Sequence, residues 1–158
     1  GGRNFYQKQP KEAFPVCDFG YIDTANKTEV RGEGGKTGIF YLALGDAGLY
    51  KLCYDTKTEE IHVKRLTDTG DACYRMGLGV IGEDRDYLTE EKAIYFCGRL
   101  EGEYGFYRTF DEGKSYERLN QDNQMYGEIN SIDGDKRKFG RFFLATGSRG
   151  VLYGEMKR

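Results

Sequence analysis

Thr109-Phe110-Asp111-Glu112-Gly113-Lys114-Ser115-Tyr116 lies between two short apolar runs of strand character. It fits the pattern S/T-x-D-x-G-x-T/S-aromatic. A carboxylate at the third position can accept hydrogen bonds from the backbone N–H groups of its own turn. Gly113 can supply the left-handed backbone that such a turn needs. Tyr116 is placed to pack against a neighbouring layer. The stretch therefore predicts a tight turn between the third and fourth strands of a small antiparallel sheet. Asp111 is read as structural rather than catalytic, because tight turns commonly use Asp in this way.

Working outward, the same grammar recurs. Residues 39–43 (IFYLA), 93–97 (AIYFC) and 141–145 (RFFLA) are β runs, each followed by a Gly-containing turn and a second β run. The second runs are taken to open at Gly48, Gly105 and Gly150, at intervals of 57 and 45 residues. Each pair reads as a hairpin, and the spacing is that of propeller blades. A third strand follows twice, at 61–66 and 115–119. Inner strands are expected at 14–17, 76–81 and 129–132, with a polar, Gly-rich insertion at 26–36. Small residues in the second inner strand suit a crowded position near a propeller axis.

The expectation is an all-β chain, a partial β-propeller of antiparallel four-stranded blades. The blades fall at about 14–66, 75–119 and 126–157 of a single segment, 1–158. They hold four, four and three strands. Three blades leave open sheet faces, so further blades of the same chain or a partner chain are expected to complete the ring. The motif at 109–116 is an Asp-box. The turn at 54–60 is a degenerate copy that keeps Asp55 but lacks the Gly. The opening residues 2–6 resemble the tail of another box, and with the start at Gly1 they suggest that more chain precedes them.

Composition agrees with strands and turns. The 158 residues include 23 Gly, 13 Tyr and 10 Phe but only 2 Pro and no Trp. Tyr and Phe favour strands, and Gly punctuates turns. The net charge is −2 with both signs interspersed, so there is no electrostatic footprint for nucleic acid or for a membrane surface. No window has the length of a transmembrane helix. Cys17, Cys53, Cys73 and Cys97 form no CxxC pair, which speaks against zinc or redox chemistry. Cys53 and Cys97 read as buried free thiols, with disulfides left open.

The end of the chain carries a more specific signal. Residues 107–120 (YRTFDEGKSYERLN) resemble a run of the type YRSDDGGKTWxRIN. Residues 121–127 (QDNQMYG) resemble DDxHQYG, and 132–141 resemble ITGDPxxYGR. Residues 145–154 (ATGSRGVLYG) resemble GTNGRGIxYG. In order and spacing these pieces resemble the C-terminal end of the family 74 xyloglucan-cleaving glycoside hydrolases. The likeness is strongest after Glu103, and residues 48–51 still resemble the family's GLYRS segment. Tyr116 stands where the family favours Trp, Lys136 replaces the Pro of GDP, and Asn123 or Gln124 replaces the loop His.

The resemblance implies two seven-bladed propellers, a cleft between them, and hydrolysis of a β-1,4-glucan with inversion. Inversion needs one carboxylic acid and one carboxylate to activate water. The family draws one Asp from each propeller, both upstream of this segment. No catalytic residue is therefore expected here, and the chain alone should be inactive. The implied partner is a β-glucan such as xyloglucan, with no cofactor, no metal, no nucleic acid and no membrane. An extracellular, secreted location, including the cell surface, is implied.

Candidates within the chain itself are few. Asp133 with Asp135, and Asp84 with Asp86, read as turn chemistry. His62, the only histidine, reads as a surface strand residue. Sugar contact is assigned to Asp122, Asn123, Gln124 and Tyr126, since amides and carboxylates bind hydroxyls and aromatic faces stack on pyranose rings. The competing reading is a plain inter-blade connection. Tyr74 and Tyr104 are weaker sugar-contact candidates. The structural set is Thr109, Asp111, Gly113, Ser115 and Tyr116. The alternatives are a non-catalytic Asp-box propeller binding glycan or protein, and an assembly in which several copies close a ring.

Overall fold

A computed structural model of the chain describes residues 31–33, 37–55, 57–85, 87 and 91–156. The inner strand expected at 14–17, the opening residues 2–6, Cys17 and Asp86 lie outside the described residues.

The described residues form eleven strands in three antiparallel sheets. The first sheet runs β1 (Arg31–Glu33), β2 (Thr37–Ala43), β3 (Leu49–Asp55) and β4 (Glu60–Arg65). The second runs β5 (Ala72–Gly79), β6 (Ala93–Leu100), β7 (Glu103–Thr109) and β8 (Glu117–Arg118). The third is β9 (Ile129–Gly134), β10 (Phe142–Thr146) and β11 (Val151–Gly154). The described sheets hold four, four and three strands, but the fourth strand of the first is β1 and not the one expected at 14–17, and the sheets do not close on one another. No helix among the described residues is long and apolar enough to cross a membrane.

Three differences from the sequence reading have physical causes. β1 lies inside the stretch read as an insertion, where it pairs with β2. β8 is only two residues long because Ser115 is bound into the preceding turn. Gly105 does not open its strand but lies within β7, beside Asn120. The second strand opens two residues earlier, at Glu103, after a turn at Glu101 and Gly102, which both have positive φ (51° and 85°). Two such residues give the twist that joins antiparallel strands tightly. Gly48 and Gly150 do stand immediately before β3 and β11, in left-handed conformations.

Burial fixes how the sheets stack. Tyr41, Leu49 and Leu66 of the first sheet pack with Met76, Leu78, Ile94, Phe96 and Tyr107 of the second. The other face of the second sheet gives Tyr95, Cys97 and Phe106 to a cluster with Ile129, Ile132 and Leu144 of the third. Alternation along each strand sends successive side chains to opposite faces, so the middle sheet is buried on both. β6 accordingly reads as a continuous apolar run, buried from Ala93 to Gly98. Cys73 and Cys97 are buried and Cys53 is half-buried, all three as free thiols. Burial pushes the Cys73 and Cys97 thiols up, away from the reactive thiolate form.

The inner strands β5 and β9 meet without room for side chains. A Cβ on Gly77 would lie 2.4 Å from the Ile132 carbonyl oxygen, and one on Gly134 would lie 2.6 Å from the Gly79 Cα. Polar ties reinforce the contact. Asp133 Oδ1 accepts from the backbone N–H of Leu78 (3.1 Å) and from Lys136 Nζ (3.0 Å), and Lys136 also donates to the Leu78 carbonyl. Lys136, which departs from the family's Pro, thus bridges the second and third sheets.

Candidate functional site

The 109–116 turn is a closed hydrogen-bond system. Thr109 Oγ1 donates to Asp111 Oδ1 (2.8 Å) and accepts from the Gly113 N–H (2.9 Å). Asp111 Oδ1 also accepts from the Ser115 N–H (2.9 Å), and Oδ2 accepts from Ser115 Oγ (2.6 Å). The Ser115 hydroxyl and N–H hold the Asp111 carboxyl down at about 2, by stabilising its charged form. Both oxygens are bound within the turn, an arrangement suited to scaffolding and not to proton donation. Gly113 has φ 83°, and a Cβ there would lie 2.7 Å from the Leu66 carbonyl oxygen. The first-sheet counterpart is simpler: Asp55 Oδ1 accepts from the N–H groups of Lys57 and Thr58 (2.8 and 3.4 Å). Glu59, a non-glycine, takes the positive φ there (57°).

The turn also clamps neighbouring sheets. Tyr116 donates its hydroxyl to the Leu66 carbonyl (2.8 Å), and its ring meets Phe96 edge-on at 5.7 Å. Glu112 forms an ion pair with Lys51 and lies 3.9 Å from Lys64 Nζ.

The 121–128 connection from the second sheet to the third is organised by Asn120, a buried residue that the sequence reading did not single out. Its Oδ1 accepts from the Phe106 N–H (2.8 Å). Its Nδ2 donates to the carbonyls of Gln121 (3.2 Å) and Gln124 (3.5 Å). Gln121 and Gln124 close a turn on each other through Gln124 N–H to Gln121 O (2.9 Å) and Gln121 N–H to Gln124 Oε1 (3.0 Å). Tyr126 and Gly127 both have positive φ (55° and 74°), which reverses the chain into β9. The signal for Asn120 was present: a polar residue ending an apolar strand commonly serves the backbone.

The four predicted sugar-contact residues separate into two groups. Gln124 and Tyr126 line a cavity of ≈ 140 Å³ with Phe106, Asn120, Leu152 and Tyr153. The Tyr126 ring stacks on Phe106 with centroids 6.3 Å apart and planes 9° apart. Asp122 and Asn123 are exposed, and neither lines the cavity. Asp122 is paired with Arg118 (2.9 Å). The cavity is thus lined by apolar side chains together with amide and phenol groups, a composition suited to a small neutral polar ligand.

The other carboxylates are engaged elsewhere. Asp135 Oδ1 caps the backbone of Arg137 (2.8 Å) and Lys138 (3.1 Å), while Asp133 ties two sheets. Asp84 is exposed. His62 is exposed on β4 beside Glu60 (3.5 Å). Among the described residues no three His, Cys, Asp or Glu side chains converge as metal ligands would.

No protein-family model matches the chain. The chain is 29% identical to the xyloglucanase Xgh74A of Acetivibrio thermocellus over 163 residues, covering 98% of this chain and 18% of that protein. It is 31% identical to the oligoxyloglucan-reducing end-specific xyloglucanase of Emericella nidulans over 162 residues, covering 99% of this chain and 18% of the relative. The chain therefore spans under a fifth of the length of these relatives. Among solved structures, the GH74 xyloglucanase of Xanthomonas campestris superposes with a TM-score of 0.61 at 26% identity, over 83% of this chain and 17% of that one. The Niastella koreensis GH74 enzyme shares the fold, with a TM-score of 0.57 at 23% identity over 79% of this chain and 17% of that one. By sequence along nearly its whole length, and by fold, the chain matches a part of the glycoside hydrolase family 74 enzymes.

Proposed function

We propose that this chain is a propeller portion of a secreted, xyloglucan- or related β-glucan-degrading hydrolase, with the catalytic acid and base carried on other blades. Its 31% identity to an oligoxyloglucan-reducing end-specific xyloglucanase along 99% of the chain supports this reading most strongly. The carboxylates described above add support. Asp111 is bound within its turn, Asp133 and Asp135 serve backbone and inter-sheet contacts, and Asp122 is paired with Arg118.

The chain's role is then to build and hold blades, with an Asp-box at 109–116, and to present the loop of Asp122, Asn123, Gln124 and Tyr126 to glycan. The open faces of the first and third sheets are covered by further blades of the same or a partner chain. Incubating this 158-residue chain with xyloglucan and following new reducing ends tests the placement of catalysis. No cleavage is expected, and steady turnover by the chain alone would overturn it.

A further inference from the structure

At one end of the second sheet, two tyrosines from different strands come together at the surface. Tyr74 sits where the β5–β6 register slips between Cys73 and Arg75. It is the extra residue of a β-bulge, a feature that bends a strand and re-aims a side chain. Its ring lies 6.4 Å from that of Tyr104 on β7, with planes 32° apart. Tyr104 is 37% exposed, unusual for a large aromatic in a sheet otherwise closely packed. Inward, Tyr104 meets Phe106 edge-on at 6.4 Å, and Phe106 carries the stacked Tyr126 of the cavity. A continuous run of four rings therefore leads from the 122–126 loop to the end of the sheet.

The bulge is held in place by the neighbouring sheet. Gly45, in the β2–β3 turn, exchanges two backbone hydrogen bonds with Cys73 (2.9 and 2.8 Å). This sets Asp46 beside Tyr74, whose hydroxyl donates to Asp46 Oδ1 (2.9 Å). Arg99 Nη2 approaches the same carboxylate oxygen at 3.7 Å. At the other end Arg118 joins the strand to the loop, donating to the Tyr104 carbonyl (3.3 Å) while pairing with Asp122. Asp46 and Arg99 thus flank the Tyr74 hydroxyl, while Arg75 donates to the Tyr74 carbonyl (2.8 Å).

We infer that Tyr74 and Tyr104 form a stacking platform for a neutral oligosaccharide, with Asp46 and Arg99 binding hydroxyls. The chemistry favours this ligand. A tyrosine offers an apolar face and a polar tip, which match the C–H face and the hydroxyl rim of a pyranose. Side chains of both signs supply directional donors and acceptors for sugar hydroxyls. The assignment of a β-glucan rests on the proposed function, whereas the platform itself rests on ring geometry.

Titration calorimetry of this chain with a xyloglucan oligosaccharide, alongside aromatic-ring NMR shifts, tests the platform. Binding should perturb the Tyr74 and Tyr104 ring resonances. Y104L, which keeps apolar volume but loses the flat face, should weaken binding tenfold or more. Y74F keeps the ring and loses the Asp46 contact, so it should weaken binding only a few-fold. Retained circular dichroism and melting temperature would show that both variants are folded. The inference fails if the wild-type chain binds neither xyloglucan nor cello-oligosaccharides, or if folded Y104L binds as wild type. Cleavage of xyloglucan by the chain would instead overturn only the placement of catalysis, so the two readings fail separately.

Discussion

Asp111 is a carboxylate whose ionisation is used for folding. Its pKa is held at about 2, below the ordinary 3.8, chiefly by the Ser115 hydroxyl. A depressed folded-state pKa contributes stability that is fully present above the unfolded value and disappears as pH falls through the folded one. The melting temperature of wild type should therefore fall between about pH 4 and pH 2, and D111N should flatten that part of the profile. At neutral pH, D111A removes the acceptor for Ser115 and Thr109 and should cost about 2 kcal/mol by denaturant unfolding. A D111A variant with wild-type stability would show that the turn is held by its backbone alone. The sequence was sufficient to assign Asp111 to this turn. It did not reveal that Glu59 would take a positive φ in the degenerate copy, because a single strained residue is tolerated where surrounding pairing imposes it.

Between elements, the sheets interlock through a few definite contacts. Tyr116→Phe keeps the edge-on ring contact with Phe96 but deletes the bond to the Leu66 carbonyl. A loss of about 1 kcal/mol is expected, and no loss would mean that water replaces the hydroxyl at that carbonyl. Gly77→Ala is the harsher change. Its Cβ would meet the Ile132 oxygen and the Asp133 Cα, at 2.4 and 2.5 Å. Those are backbone atoms, so relief requires β5 and β9 to separate. Overpacking of this kind should cost at least about 2 kcal/mol, read as a lowered denaturant midpoint. The small residues of β5 were legible as a crowded inner strand. Its partner β9 was not, because a sequence pattern marks which residues must be small without naming the element that crowds them.

Across the whole molecule, burial is uneven in a way that follows the stacking. The second sheet contributes to two cores, and Phe96 lies fully buried in the one it shares with the first sheet, stacked on Tyr107 at 5.5 Å. Phe96→Ala leaves a cavity at that junction and should cost about 3–5 kcal/mol. If the sheets unfold as one unit, the urea transition moves to lower concentration with an unchanged slope; a second transition would show that the first sheet melts separately. The third sheet differs, for Val151 and Tyr153 on its edge strand are 70% and 69% exposed. Large apolar side chains at that exposure mark a face suited to packing against another layer, in keeping with a wedge of a larger ring.

Local chemistry was decided by the sequence itself: alternation gave strands, Gly-containing turns gave hairpins, and the 109–116 motif gave the hydrogen-bonded corner. Each of these depends on residues near one another in the chain, so the pattern carries the information. The tertiary structure alone decided what depends on distant residues. It placed Gln124 and Tyr126 on a cavity while leaving Asp122 on Arg118. It made Asn120 the pivot of the loop, and it brought Tyr74 and Tyr104 together across β6 through a bulge. Those outcomes turn on register and close approach between sheets, where a one-residue shift changes the face a side chain occupies.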